Sequence, residues 1–121
     1  MKETAAKLKL FFSGFGIPAY ARLNIPDEVE LPYIAYDLTE PRWDQQANTS
    51  CQIYYPKHQL EQLLTKADEV MAAIGEGIEI TLPNGYLMLY LAEQQAQTVS
   101  DDMTDSAYLS LLINSYNTPG T

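Results

Sequence analysis

One stretch of the sequence, from Pro56 to Gly75, constrains the fold more than any other. Its apolar residues recur at helical spacing and share one face, while charged and amide side chains fill the other face. The apolar face consists of Leu60, Leu63, Leu64, Ala67, Val70, Met71 and Ile74. Proline suits the first turn of a helix and glycine suits its end, so we predict one long helix over residues 57–75. A single apolar stripe needs a surface that covers it, and the flanking sequence predicts that this surface is a β-sheet.

Four segments around the predicted helix alternate apolar and polar residues, which is the pattern of half-buried strands; they are residues 33–38, 50–55, 78–82 and 107–114. A fifth segment, residues 86–92, is apolar on both faces and predicts a central strand that is covered on both sides. For residues 107–114, a helix that begins at Asp102 is a competing interpretation, because leucine and alanine are good helix formers. The pair Asn84-Gly85 lies between two alternating runs and predicts a tight hairpin, since both residues tolerate a positive φ. Turns and loops are expected over residues 15–32, 40–49 and 93–106.

Together these elements predict a single α+β domain over residues 1–121. A short amphipathic helix over residues 3–13 precedes the strands, so the expected order is α-β-β-α-β-β-β. The sheet is expected to be mostly antiparallel and to contain about five strands. The long central helix and the short N-terminal helix should pack on it. A chain of this length can bury a core of its own without a disulfide or a metal ion.

The charge of the chain excludes several classes of partner. Acidic residues number 16 against 7 basic residues, and the net charge is −9. No basic cluster is present that could displace counterions from phosphates, so we expect no direct binding of nucleic acid and none of anionic membranes. The sequence also has no apolar run long enough to cross a bilayer.

Few of the residues that commonly carry catalysis are present. Cys51 is the single cysteine; it lies on the apolar face of a predicted strand, so we expect a core side chain in a reducing compartment. His58, the single histidine, is placed on the first turn of the long helix and is assigned no role. Asp101, Asp102 and Asp105 form a carboxylate cluster, which fits either a solvated turn or a divalent-cation site in a hydrolase. We expect no enzyme and no cofactor, and titration calorimetry with divalent cations tests the hydrolase interpretation.

Two short motifs resemble a known family. The first runs through Gly16-Ile17-Pro18-Ala19-Tyr20, Ile25-Pro26-Asp27 and Leu31-Pro32-Tyr33-Ile34-Ala35-Tyr36. The second is Gln95-Ala96-Gln97-Thr98-Val99-Ser100-Asp101-Asp102. Both are similar to segments of the phage tail terminator proteins, also called tail completion or minor capsid proteins, of long-tailed phages and prophages. The second motif departs from the family's Phe-Ala-Gln-x-x-x-Asp pattern, because Gln95 stands where an aromatic residue is expected.

The resemblance implies an α/β subunit without catalytic residues that assembles as a ring, usually a hexamer, on the tail tube. Such a ring caps the tube, stops its polymerisation and forms part of the head–tail joining interface. The implied partners are further copies of the chain, the tail tube protein and a head-completion or connector protein. The implied location is the tail or neck of the virion, and the bacterial host cytoplasm during assembly.

We expect the protein contacts to come from two polar segments that strands hold away from the domain. The candidate interface residues are Arg42, Trp43, Asp44, Gln45 and Gln46 in the first segment, and Gln94, Gln95, Gln97, Asp101 and Asp102 in the second. Two interpretations stay open for Trp43, which either anchors an interface or folds back on the sheet.

The number of tyrosines favours protein binding independently of the resemblance. The chain has nine of them, and most lie on predicted strands. Tyrosine packs well on a pleated surface and is also enriched where proteins meet. The alternative function is therefore a small intracellular adaptor module that binds one protein partner and has no catalytic activity.

Overall fold

The computed structural model describes residues 2–42 and 45–117. It contains two α-helices, α1 (Lys2–Phe12) and α2 (Leu60–Ile74). The strands are β1 (Ala19–Ala21), β2 (Tyr33–Tyr36), β3 (Gln46–Pro56), β4 (Ile78–Leu82), β5 (Gly85–Leu91), β6 (Gln97–Ser100) and β7 (Thr104–Asn117). Two short 3-10 turns flank β1, at Ser13–Phe15 and Arg22–Asn24. These elements form a single mixed α+β domain.

All the described strands belong to one sheet, in which β7 is the organising strand. The order is β1-β2-β3-β7-β5-β4, and β6 also pairs with β7. The pair β1–β2 is parallel and the other pairs are antiparallel. Along one edge of β7 lies β3, and along the other edge β5 and β6 follow one another, because β5 pairs with residues 111–117 and β6 with residues 105–108.

The sheet curls around the two helices. The longer helix, α2, contacts β3, β7 and β5 in the middle of the sheet, whereas α1 contacts β1 and β4, the two outermost strands. A helix of 11 residues is only about 16 Å long, so it reaches both outer strands only because the sheet curves towards it. At the end of α1, the ring of Phe12 stacks on the ring of Tyr36 in β2, with centroids 4.8 Å apart.

The core lies between the helices and the concave face of the sheet. It is built from the side chains that point inwards from alternate positions of the strands and from one face of α2. The largest fully buried ones are Ile34, Ile53, Leu63, Ile74, Leu87, Leu89, Leu109, Leu111, Ile113 and Val70. Cys51 is also fully buried, which confirms its prediction as a core residue.

The central helix begins later than the sequence predicts. Pro56 is the last residue of β3, where it pairs with Thr104, and the helix starts at Leu60. Between them His58 has a positive φ of 70°, which a continuous helix does not allow. The placement of His58 on the first helical turn is therefore wrong. The predicted end of the helix is confirmed: Gly75 has a φ of 53° and donates its N–H to the carbonyl of Met71.

The predicted apolar stripe of α2 is buried along its middle but not at its edge. Leu63, Ala67, Val70 and Ile74 are buried. Leu60 and Leu64 are 51% and 41% exposed. Helical spacing places all of them on one side, but the concave sheet covers only the centre of that side.

The sheet has more strands than the predicted number of about five, and the predicted element order is correspondingly incomplete. One additional strand, β1, lies within residues 15–32, and another, β6, lies within residues 93–106. Both are short, and neither shows an extended alternation of apolar and polar residues, so only their pairing with longer strands identifies them. The last segment is a strand, which overturns the alternative of a helix from Asp102.

The hairpin between β4 and β5 forms where predicted, but its turn differs. Leu82 pairs with Gly85, so the two turn residues are Pro83 and Asn84. Neither Asn84 nor Gly85 has a positive φ. A proline at the first central position fixes φ near −65° and favours a different turn type, so the reason given for the hairpin is wrong. The loop before β3 is also shorter than predicted, because residues 46–49 belong to the strand.

Candidate functional site

The first predicted interface segment precedes β3. Arg42 and Gln45 are exposed, and the Gln45 N–H donates to the Arg42 carbonyl at 3.0 Å. Gln46 is exposed and opens β3 opposite Asn114. Trp43 and Asp44 lie outside the described residues, so both interpretations of Trp43 stay predictions.

The second predicted segment surrounds β6, and its five candidate residues are all exposed. Gln94 and Gln95 lie between β5 and β6, Gln97 begins β6, and Asp101 and Asp102 lie in the turn before β7. This turn joins two paired strands, so the segment is a β-hairpin rather than the predicted loop.

The most distant described parts of the two segments lie at opposite ends of the longest strand. Gln46 pairs with Asn114, and Ser100 pairs with Asp105. Asp105 and Asn114 are nine residues apart along β7, which is roughly 30 Å at about 3.4 Å per residue. Gln46 and the Asp101–Asp102 turn are therefore far apart, whereas Gln97 pairs with Tyr108 and lies nearer the middle of β7.

Asp101 holds the turn between β6 and β7. Its Oδ1 accepts the N–H groups of Met103 at 2.9 Å and Thr104 at 2.8 Å, and it also accepts the Thr104 hydroxyl. These hydrogen bonds, led by the one from Met103, lower the pKa of Asp101. Within residues 2–42 and 45–117, no group of three or more His, Cys, Asp or Glu side chains could hold a metal ion. The solvated-turn interpretation of this carboxylate is the one that its contacts support.

A polar cluster fixes the hairpin to the start of α2. Lys57 donates to the Ser100 hydroxyl and, at 3.2 Å, to Asp105 Oδ1. Ser100 in turn donates to the same carboxylate oxygen at 2.7 Å. The hydrogen bond from Ser100 and then that from Lys57 lower the pKa of Asp105. Helical spacing predicts Lys57 on the outer face of the helix, whereas Lys57 precedes α2 and reaches the hairpin.

A groove of about 460 Å³ separates the first turn of α2 from β6. Its apolar lining comes from Leu60 and Leu63 on the helix, and β6 contributes Thr98, Val99 and Ser100. Leu63 is fully buried, while Leu60 is 51% exposed. The Val99 side chain points to the convex face, because Val99 pairs with Ser106, so the groove has one buried apolar side chain behind one accessible one. No pattern in the sequence predicts this groove, because residues 93–106 are expected to form a loop.

The convex face of the sheet carries a second polar network. Arg22 donates to Asp37 Oδ1 at 2.8 Å, and the Ser50 hydroxyl donates to the other oxygen at 2.6 Å. Partial burial raises the pKa of Asp37, but these two hydrogen bonds outweigh it and leave the pKa below its usual value. The amide of Gln52 donates to the Ser106 hydroxyl at 2.8 Å and extends the network across β3 to β7.

Several tyrosines stack in pairs on the same convex face. Tyr33 stacks on Tyr54 with centroids 4.9 Å apart, and Tyr86 stacks on Tyr116 at 5.0 Å. All four side chains are half-buried. Stacked rings have little conformational freedom to lose, so this face is rigid and amphipathic, as protein interfaces often are.

The buried cysteine has the properties of an inert side chain. Burial raises the pKa of the Cys51 thiol to about 12, and the thiolate is the nucleophilic form. Cys51 therefore stays protonated and contributes packing rather than reactivity.

A scan against models of protein families finds no match to this chain, and a search of curated proteins finds none. No helix of the described residues is long and apolar enough to cross a membrane.

Proposed function

We propose that this protein is a structural subunit of the phage tail terminator type, which caps the tail tube, stops its polymerisation and takes part in joining the tail to the head. In this proposal the subunit acts as a ring, a hexamer as the resemblance implies. It performs no catalysis, and it is a component of the virion tail or neck.

The observation that carries this proposal is that exposed Gln46 and the exposed Asp101–Asp102 turn lie at opposite ends of β7. A subunit that joins two structures needs two contact surfaces that face in different directions. The segment from Arg42 to Gln46 would meet one neighbour, and the β6–β7 hairpin would meet the other. The long strand between them, held on both edges by hydrogen-bonded neighbours, supplies a rigid spacer of roughly 30 Å at about 3.4 Å per residue.

The rigid tyrosine pairs on the convex face also support a structural role. Half-buried stacked rings present apolar area at a small entropic cost. The acidic net charge of −9 agrees with a ring that lets DNA pass without binding it, because like charges repel phosphates.

The test is electron microscopy of tail tube protein from the same genome, polymerised with and without this chain. The expected result is tubes of bounded length with additional density at one end. Tubes of unchanged length with bare ends would contradict the proposal and favour the adaptor function.

Charge-reversal variants distinguish the two surfaces. Asp102→Lys at the hairpin and Arg42→Glu at the opposite segment are each expected to impair one joining reaction, either tube capping or attachment of the head-completion protein, and to leave the other intact. Glu28→Lys and Lys7→Glu are the matched controls, since both residues are exposed and lie outside the two segments. If both test variants lost the same reaction, the assignment of opposite surfaces would be wrong.

A further inference from the structure

The edge of β6 is an open strand edge. β6 pairs only with β7, and all four of its residues are exposed. Its sequence, Gln97-Thr98-Val99-Ser100, contains no charge and no proline. Charged residues, prolines and covering elements usually stop a strand edge from pairing with another chain. β6 contains neither a charged residue nor a proline.

The edges of β1 and β4, the outermost strands of the sheet order, are protected. β1 has three residues and follows Pro18, and the Lys9 side chain donates to the Ala19 carbonyl at 3.0 Å. β4 carries the exposed charge of Glu79 and, like β1, contacts α1. The contrast points to a function for the β6 edge.

The groove beside β6 supplies a place for the side chains of an added strand. An extended segment that pairs with β6 would run alongside the first turn of α2, and alternate side chains would point into the groove. Leu60 is the accessible apolar contact there, in front of buried Leu63. This combination of an open edge, a neighbouring helix and an apolar groove fits binding by strand addition.

The edge is held in its binding-competent shape by contacts within the domain. Lys57 fixes Ser100 and Asp105 on one side of the hairpin, and Asp101 closes its turn through the N–H groups of Met103 and Thr104. A preorganised strand loses less conformational entropy when it is paired, so a partner keeps more of the interaction energy.

The charges around the groove select the partner. The one lysine that lines it, Lys57, is already paired with Asp105. Exposed carboxylates follow its lining residues in the sequence: Glu61 follows Leu60, and Asp101 and Asp102 follow Ser100. Lysine or arginine at the ends of an incoming segment would complement them, whereas a second copy of this chain would bring the same carboxylates and a net charge of −9.

We propose that the β6 edge and its groove bind an extended segment of a different protein, with apolar side chains at alternate positions and basic residues at its ends. The inference deepens the proposed function and rests on it in one respect, because it names the partner chemistry of the surface formed by the β6–β7 hairpin.

The experiment uses three labelled synthetic peptides and the full chain. The test peptide is KTVTVTVK; the first control, ETVTVTVE, reverses the terminal charges, and the second, KTVPVTVK, replaces a central residue by proline. Fluorescence anisotropy should give the test peptide a Kd of the order of 100 μM, with both controls at least about tenfold weaker. Binding should weaken as salt is raised.

Variants and mapping then locate the peptide. Leu60→Ala should weaken binding about fivefold or more. Leu10→Ala should not, since Leu10 is 70% exposed on α1, whose main strand contacts are with β1 and β4. Amide shifts in NMR spectra should be largest at Thr98, Val99 and Ser100.

Three results would overturn the proposal. They are equal binding of the basic and acidic peptides, shifts that map away from β6, and concentration-dependent shifts of β6 without peptide, which would make a second copy the occupant. Tube capping is measured separately, so a chain that caps tubes but ignores the peptide would refute this inference alone. A chain that binds the peptide but leaves tubes bare would refute the proposed function alone.

Discussion

At the scale of single residues, Gly77 is the position where backbone conformation and packing leave the least choice. It connects α2 to β4 with a φ of 134°, which other residues rarely adopt. A Cβ built on it would lie 2.5 Å from Cε1 of the Tyr90 ring. The helix can therefore return to the sheet at this point only through a residue without a side chain.

Gly77→Ala should lower the free energy of unfolding by about 2 kcal/mol or more, because it adds backbone strain to a steric overlap. Urea denaturation followed by circular dichroism measures the change. Gly14→Ala is the matched control: its Cβ would have nothing within 4 Å, so the change should stay within about 0.5 kcal/mol. Equal losses in the two variants would contradict the steric argument.

At the scale of elements, α2 shows how the curvature of the sheet divides one apolar stripe. Leu63 is fully buried, and its neighbour Leu64 is 41% exposed. Both are leucines in the same helical turn, so they differ in tertiary environment rather than in helix propensity. The stability that a leucine contributes here depends on whether the concave face reaches it.

Leu63→Ala should cost about 3 kcal/mol, the sum of lost burial and the cavity left behind. Leu64→Ala should cost less than about 1 kcal/mol, because much of its side chain is already hydrated. Thermal unfolding of the two variants measures the difference, which corresponds to roughly 10 °C in Tm for a domain of this size. Similar Tm values would show that the centre and the edge of the apolar stripe do not differ in burial as described.

At the scale of the whole molecule, the net charge of −9 on 121 residues opposes contact between copies. The repulsion reaches about 30 Å at 0.01 M salt and only about 10 Å at 0.1 M. Salt should therefore strengthen the proposed ring, because it screens the repulsion between copies. Salt should weaken the proposed strand addition, because it screens the attraction between opposite charges.

Self-association of the chain should accordingly strengthen as sodium chloride is raised from about 0.01 M to about 0.3 M. Sedimentation velocity at several protein concentrations measures it, and an apparent association constant that rises by about tenfold is expected. Association that weakened with salt would mean that opposite charges meet at the contact between copies.

Local pattern was sufficient for the elements whose own residues specify them. Three predictions from local pattern agree with the structure: the strand at Ile78–Leu82, the helix from Leu63 to Ile74 and the burial of Cys51. Each follows from apolar side chains that recur on the one face of an element that is buried. The exposure of Gln94, Gln95, Gln97, Asp101 and Asp102 followed from their polarity in the same way.

Tertiary structure decided the features that depend on distant partners. β1 and β6 are strands because β2 and β7 pair with them, and their own short sequences do not require it. The helix begins at Leu60 because Pro56 remains paired with Thr104, 48 positions further along the chain. The groove beside Val99 and the separation of the two exposed segments exist only once β7 has brought these residues into register. The periodicity of apolar residues indicates which side of an element is buried. Pairing between distant parts of the chain determines where an element begins, which strand edge stays unpaired and which residues lie beside it.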